Sequence, residues 1–366
     1  MIVIGADPHK LSHTAAAVER ATGELRSSET VAARDSGHAQ LLDWARALDD
    51  ERVWAIEDCR HVSGGLERFL VDRGEHVVRV PPKQMAGARK SARKRGKSDT
   101  IDAVAVARAA IREGIETLPA AFLDEEALAI KLLLDHREDL VGESTRAQNR
   151  LRWHLHDIDP ELAPPERSLR HLHVLRSLGA HLSRREQTVR VRLARELVRR
   201  CAALRRELEA LERELQTRVR EQAPELLELP GCGPLTAAKL IAEIAGAARF
   251  PTDAKLARHA GIAPLPASSG ARHRHRFDRR GNRQLNCAFH RIAITQARIH
   301  PEARAFLERK RSEGKSNREA LRSLKRHLVR RVHRLLAPPS VSPPLPMSSS
   351  PIRASSAPAV MPCLMP

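Results

Sequence analysis

The chain of 366 residues contains no tyrosine, and aromatic residues make up only 2% of it. Any DNA strand transfer performed by this protein therefore cannot use a tyrosine nucleophile. With so few rings, its cores must be assembled mainly from Ala, Leu, Val and Ile. Cysteine is also sparse: Cys59, Cys201, Cys232, Cys287 and Cys363 are scattered, odd in number and never in a Cys-x-x-Cys spacing. That pattern argues against a disulfide framework and against a structural zinc site. No apolar run approaches the roughly 18 residues a membrane span needs. The opening MIVIGADPHK lacks the basic start and long apolar stretch of a signal peptide. A reduced, cytoplasmic protein with no membrane partner is the expectation.

Acidic residues are in deficit as well, with 45 Asp+Glu against 64 Lys+Arg and a formal charge of +19. Net charge informs on partners rather than on fold, and this excess points to a polyanion such as nucleic acid. Apolar residues at 42% supply enough material for real cores. At roughly 150 residues per domain, the length suggests two domains plus extras.

Residues 1–120 read as alternating strands and helices, an α/β layer architecture. Ile2-Val3-Ile4-Gly5-Ala6 suits a buried strand, and His13 to Glu19 is a second candidate. A helix is expected over 37–48, a strand over Arg52–Glu57, a helix around 63–73 and a strand from His76 to Val80, stopped by Pro81-Pro82. Residues 121–225 turn helical. One helix is expected over 124–158 and another over 183–222, where Leu193, Leu197, Leu204, Leu208, Leu211 and Leu215 recur at steps of three, four and seven. That stripe reads as a coiled-coil arm between two domains and as a dimerisation device. Residues 226–336 read as a second, mostly α domain, with a helix over 303–335. The tail 337–366 holds nine of the 23 prolines and seven serines, too little apolar surface to fold.

Four carboxylates stand out. Asp7 ends the first strand and Glu57 ends the Arg52–Glu57 strand, the strand ends where α/β sheets place their sites. Asp99 and Asp102 are three apart at a helix start, hence on one helical face. Together they could form a hard-cation site for Mg²⁺, which prefers oxygen ligands and serves phosphoryl transfer. Each alone also fits a plainer role, as turn former or helix cap. Leading into the Asp99/Asp102 pair is a segment with no acid, containing Lys83, Arg89, Lys90, Arg93, Lys94, Arg95 and Lys97. Cations beside a metal site suit a phosphate backbone as substrate, although a solvated basic run is the plainer reading.

In the C-terminal part, Leu229-Pro230-Gly231-Cys232-Gly233-Pro234 opens a helix, offering either a phosphate cradle or an ordinary turn. Ala260-Gly261-Ile262-Ala263-Pro264 is followed by Ser268-Ser269-Gly270 and by a basic stretch with Arg272, Arg274, Arg276, Arg279, Arg280 and Arg283. A serine beside glycine among arginines could attack a phosphate, its developing charge stabilised by the guanidinium groups. Ser-Ser-Gly is also an ordinary loop sequence.

The motifs Gly5-Ala6-Asp7-Pro8-His9-Lys10, Ala55-Ile56-Glu57 and Lys97-Ser98-Asp99-Thr100-Ile101-Asp102-Ala103 resemble the N-terminal signature of the DEDD transposases of the insertion-sequence one-ten family, relatives of the Piv-type DNA invertases. Gly-Ile-Ala-Pro, Ser-Ser-Gly and Gly-Asn-Arg extend the resemblance to the C-terminal domain. It implies a RuvC-like N-terminal domain of RNase H-type fold, with Mg²⁺ bound by Asp7, Glu57, Asp99 and Asp102. It further implies a serine nucleophile, carried onto Ser269 with Ser268 as the alternative, and a guide (bridge) RNA that pairs with target and donor DNA. A homodimer or tetramer would bring carboxylates and serine together. The pair Asp58-Cys59 departs from the small residue and glycine usual after that glutamate. Two rival readings remain: a Holliday-junction nuclease in which the same carboxylates activate water, and a non-catalytic nucleic-acid-binding protein.

Overall fold

The computed structural model describes residues 1–57, 60–80, 98–118, 120–121, 124–266, 275–276, 278 and 281–337. Strands β1 (Ile2–Pro8), β2 (Ser12–Glu19), β3 (Leu25–Ala32), β4 (Arg52–Glu57) and β5 (Val77–Val80) form one sheet in the order β3-β2-β1-β4-β5. The β1–β2 and β2–β3 pairs are antiparallel, whereas β1–β4 and β4–β5 are parallel. A mixed sheet of this order and these directions agrees with an RNase H-type domain. Between the strands run α1 (Asp35–Leu48) and α2 (Arg60–Asp72), and after them comes α3 (Asp99–Glu113).

Period-two alternation sends the strand residues to two different cores. Ile2, Ile4, Ala6, Trp54 and Ile56 face α1 and α2, meeting Leu41, Leu42, Leu66 and Leu70. Val3, Val53 and Ala55 face α3, meeting Ala105, Val106 and Ala109. Trp54, fully buried, also donates its indole N–H to Glu75 at 3.0 Å. The sequence reading missed β3. Its Arg26-Ser27-Ser28-Glu29-Thr30 run has almost no apolar alternation, because an edge strand needs little burial on its outer positions.

The helical part begins with α4 (Glu125–Ile158), capped by Asp124, whose carboxylate accepts from the Ala127 N–H at 2.8 Å. Helices α5 (Leu172–Ser183) and α6 (Val189–Gln222) fold back on it. Expectation had one helix over 183–222; here Thr188 caps α6 and the preceding residues belong to α5 or the turn. Most of the leucine stripe packs within the chain: Leu204, Leu208 and Leu211 share a core with Leu151, Leu155, Leu175 and Leu182, Leu215 enters a second core, and Leu193 stays 43% exposed. At 34 residues each, α4 and α6 span about 50 Å.

The lower ends of α4 and α6 enter a second core with α7 (Pro234–Ile244), α8 (Asp253–His259), α9 (Arg283–Ile299), α10 (Pro301–Ser312) and α11 (Asn317–Leu336). The single helix expected over 303–335 is two helices. Ser316 starts α11 with a capping box, its hydroxyl accepting from the Glu319 N–H while the Glu319 carboxylate accepts from the Ser316 N–H. Two short strands, β6 (Leu265–Pro266) and β7 (His275–Arg276), pair antiparallel. Among the described residues no helix is long and apolar enough to cross a membrane. The tail 338–366 lies outside the described residues.

Candidate active site

Gly5 decides where the carboxylates meet. A Cβ on Gly5 would lie 2.1 Å from the Ala103 carbonyl oxygen and 2.5 Å from the Ala107 nitrogen. Only hydrogen at this position lets α3 lie directly on β1, and the fully buried Ala103 and Ala107 keep the opposing surface thin. The helix start is thereby drawn to the end of β1. Its N-cap is Ser98, whose hydroxyl accepts from the Ile101 N–H at 3.2 Å. Asp99 and Asp102, both in the first turn, are thus left for other work, although they also complement the helix dipole.

Asp7 lies two residues beyond Gly5 on the α3 face of β1. In the parallel pairing of β1 with β4, Gly5 opposes Ala55 and Ala6 opposes Ile56. Asp7 and Glu57 follow these pairs on adjacent strand ends and on the same face. His9, in the turn between β1 and β2, is held by its N–H donating to the Ser12 carbonyl at 2.8 Å. Its Nε2 sits 3.2 Å from Asp7 Oδ2 and 3.4 Å from Asp99 Oδ1. Ligand atoms of Asp7, His9 and Asp99 all lie within 4.8 Å of one another.

The electrostatics of this corner are those of crowded negative charge. Asp7 is 7% exposed and Asp102 9% exposed, whereas Asp99 faces solvent. Burial raises the Asp7 pKa above the usual carboxylate value; His9 opposes that rise, while Asp102 and then Asp99 add to it. The carboxylate oxygens gathered around a partly desolvated Asp7 match a hard divalent cation, and His9 contacts them as a charge partner. The donor set therefore fits the metal that the motif implies.

Of the four predicted carboxylates, Asp7 and Asp99 come within ligand reach of one another, Asp102 acts electrostatically on Asp7, and Glu57 is placed by register on the adjacent strand end. His9 joins them unpredicted; the Asp7-Pro8-His9 spacing, two along an extended strand, was the available signal. Arg276 lies in β7, and Arg283 is exposed at the first position of α9. Just before it, the N-cap Asn282 accepts from the Leu285 N–H at 2.9 Å and donates to Glu243 at 2.6 Å. Ser268, Ser269, Lys83, Arg89, Lys90, Arg93, Lys94, Arg95, Lys97, Arg272, Arg274, Arg279 and Arg280 lie outside the described residues. At the helix opening after Leu229, Gly231 has φ +83° and sits against Thr295, so the turn is packed onto α9.

Known proteins resemble this chain at the level of family. A family model for IS110-type DEDD transposases matches residues 4–160, and one described as transposase IS116/IS110/IS902 family matches residues 223–308. An uncharacterized 44.8 kDa protein of insertion element IS116 from Streptomyces clavuligerus is 28% identical, with 90% of this chain and 92% of that protein covered. The 42 kDa protein of insertion element IS900 from Mycobacterium paratuberculosis is 26% identical, covering 88% and 92% respectively. A 43.6 kDa protein of insertion element IS110 from Streptomyces coelicolor is 38% identical over 29% of this chain and 27% of its own length. Among solved structures, Thermus thermophilus RuvC in complex with a Holliday junction substrate has 17% identity and a TM-score of 0.27, covering 33% of this chain and 99% of that one. The protein is a nucleic-acid-processing enzyme of the transposase class. It belongs to the IS110 family of insertion-element transposases.

Proposed function

We propose that the chain is a site-specific DNA transposase that exchanges phosphodiester bonds through a covalent serine intermediate. The observation that carries this reading is the meeting of Asp7 and Asp99, from a strand end and a helix start, with ligand atoms within 4.8 Å. In it Asp7, Glu57, Asp99 and Asp102 hold Mg²⁺, and His9 orients Asp7 and Asp99. Such an ion, when bound, offsets charge on the phosphate and on the leaving oxygen. The chain's own groups do the rest. Ser269 attacks the scissile phosphate: an Oγ–P bond forms, the P–O3′ bond breaks, and the proton lost by the hydroxyl is matched by one gained at the 3′ oxygen. The phosphoserine holds the broken end until the 3′ hydroxyl of the exchanged strand attacks it and frees the serine. Arginines around Ser269 and the lysine-rich segment before Asp99 grip the backbone without reading sequence. A guide RNA encoded by the element pairs with target and donor DNA, and a homodimer or tetramer brings carboxylates and serine together.

Incubation with labelled element-end DNA followed by a denaturing gel tests the chemistry. A protein–DNA adduct is expected, absent in Ser269→Ala and present in Ser268→Ala. Cleavage without an adduct, unchanged in Ser269→Ala, would overturn the serine step and leave a metal-dependent nuclease. Recombination that survives Asp7→Asn and Asp102→Asn, or proceeds in chelator, would remove the carboxylates from the chemistry altogether.

A further inference from the structure

A cavity of about 560 Å³ opens beside the β6–β7 pair, between Gly261–Pro264 and the facing ends of α10 and α11. Its place in the chain is telling. Ser268 and Ser269 fall between β6 and β7 in sequence, and the cavity is bordered by Pro264, just before β6, and by His275 of β7. The two ends of that stretch are pinned together further down. A Cβ on Gly281 would lie 2.1 Å from the Gly261 nitrogen, so these two backbones touch.

At the back of the cavity stands Lys325, 6% exposed. Its Nζ donates to Asn286 Oδ1 at 2.8 Å. The Asn286 amide in turn donates to the carbonyls of Ala260 and Gly261, at 2.9 and 3.2 Å. A buried ammonium is thus tied by one side chain to the foot of the serine-bearing stretch. Lys315 and Arg322 line the cavity too, together with Lys310 and Arg326. The two carboxylates on its walls have partners: Glu313 takes Lys310 at 2.7 Å, and Glu319 is engaged by the N-cap of α11. Arg326 is held by Asp253 at 2.6 Å and Arg322 lies 3.8 Å from Glu319, yet the lining still carries five cations against two carboxylates, a surplus that suits an anion. Its volume, far above the ~30 Å³ share of one water, accommodates a phosphodiester with its flanking sugar.

We propose that this cavity is a backbone-phosphate site, with Lys325 as its buried cationic anchor, holding one phosphodiester of a bound nucleic acid next to the serine-bearing stretch. Burial, followed by the neighbouring Arg322, pushes the Lys325 pKa down to about 8. A phosphate beside it restores the full charge. The alternative, a strut whose only task is to brace Asn286, would leave nucleic-acid binding untouched. The assignment deepens the proposed function and rests on it, because a backbone phosphate presupposes a nucleic-acid substrate.

Fluorescence anisotropy of labelled oligonucleotides across a salt series, with the full chain, tests it. One arm uses duplex DNA of the element end and the other single-stranded RNA. Each lost phosphate contact lowers the slope of log K against log[salt] by about 0.9 on duplex and about 0.7 on single strands. Lys325→Gln is expected to weaken binding about tenfold and lower the slope by one contact, with Lys325→Arg largely restored. An effect confined to one arm assigns the phosphate to that nucleic acid; an effect in both supports a shared site. Unchanged slope in both arms, in a Lys325→Gln protein of normal melting temperature, overturns the proposal. Should Lys325→Gln fail to fold, Lys315→Gln with Arg322→Gln decides in the same way. If the unaltered protein shows no salt-dependent binding in either arm, the transposase reading itself fails, a distinct result.

Discussion

The carboxylate corner of the sheet and the basic cavity of the helical domain solve opposite electrostatic problems by different means. At the corner, negative charge is concentrated by secondary-structure ends: a strand terminus and a helix first turn converge because Gly5, Ala103 and Ala107 remove the bulk between them. In the cavity, positive charge is held by side-chain hydrogen bonds, from Lys325 through Asn286 to the Gly261 backbone. In the first, burial raises the Asp7 pKa and the neighbouring Asp102 and Asp99 add to that rise. The second keeps its ammonium at the cost of desolvation, as the lowered Lys325 pKa records. Backbone geometry places groups that must not move relative to one another, whereas side-chain bracing suits groups that meet a flexible polyanion.

The largest effect is expected at the corner. Asp7→Asn keeps the shape of the side chain and removes one charge from the metal site, and several kcal/mol of transition-state charge stabilisation go with it. Cleavage should fall on the order of 10³-fold. Calorimetric Mn²⁺ binding should weaken in parallel, while Lys325→Gln leaves Mn²⁺ binding as it was. Equal Mn²⁺ affinity in Asp7→Asn and the unaltered protein would break the comparison.

The two regions also differ in how much the bare sequence disclosed. The corner was legible because its parts are short-range: Val3, Gly5 and Asp7 lie on one strand face, and Asp99 and Asp102 on one helical face. Only the reason for Gly5 needed coordinates, since Ala103 is almost a hundred residues away. His9 was passed over because a lone histidine in a turn carries no periodic signal. The cavity was not legible at all. Lys325 reads as one cation in a helix that is basic all along, and nothing in Lys-Arg-His marks the one ammonium that turns inward to Asn286. Likewise the break between α10 and α11 disappeared in a continuous basic run, and β3 in a run of serines. The leucines of α6 were recognised as a packing stripe, but periodicity could not say that α4 and α5 of the same chain would cover them.

Two buried groups, His13 in the sheet domain and Lys325 in the helical domain, should each add stability as pH rises, in separate windows, whereas the raised Asp7 pKa acts with the opposite sign. Burial, with His38 stacked at 5.2 Å, pushes the His13 pKa from 6.5 down to about 4. The unfolded chain binds this proton more readily, so stability is complete above pH 6.5 and is lost as pH falls toward 4. At ~1.4 kcal/mol per unit this amounts to about 3 kcal/mol. Lys325, lowered from 10.5 to about 8, acts by the same sign, its penalty being relieved as pH rises from 8 to 10.5. Trp44 and Trp54 lie in the sheet domain, so tryptophan fluorescence in urea follows that domain preferentially and far-ultraviolet dichroism follows the helices. His13→Gln should flatten the acid limb and Lys325→Met the alkaline one. An acid limb unchanged in His13→Gln would remove the assigned cause.

Glycines inside the corner and outside it should respond with opposite signs. Gly5→Ala forces a methyl onto the Ala103 carbonyl, a backbone atom that yields only if α3 moves, and should cost about 1–3 kcal/mol. Because that shift separates Asp99 from Asp7, Mn²⁺ affinity should fall as well. Gly64 in α2 has nothing within 4 Å of its would-be Cβ. Gly64→Ala should therefore stabilise, by up to ~1 kcal/mol, through helix propensity alone. Thermal melts of both variants decide the point; a Gly5→Ala protein that melts and binds Mn²⁺ normally would show that small residues are not what draws the helix to the strand.

The last test lies where the two regions join, and its weaker contact carries the smallest expected effect. Arg249, 6% exposed, donates from Nε to the Ala120 carbonyl at 2.7 Å and from a terminal nitrogen to the Ile244 carbonyl at 2.9 Å. Nearby, Lys255 donates to the Glu116 carbonyl at 2.8 Å, and Arg258 pairs with Glu113 at 3.5 Å. These contacts differ in kind. The Arg249 bonds, one buried and one partly buried, are charge-assisted, so Arg249→Met should cost about 1.5–3 kcal/mol. The Arg258–Glu113 pair is half open to water and screened by salt, so Glu113→Gln should cost under ~1 kcal/mol, and less still at high ionic strength. If the corner and the cavity act on one substrate, loosening this seam should slow strand exchange more than it weakens binding at either site. Limited proteolysis, Mn²⁺ titration and anisotropy on the two variants separate these quantities. Strand exchange that falls only in proportion to binding would mean the two sites work without a fixed distance between them.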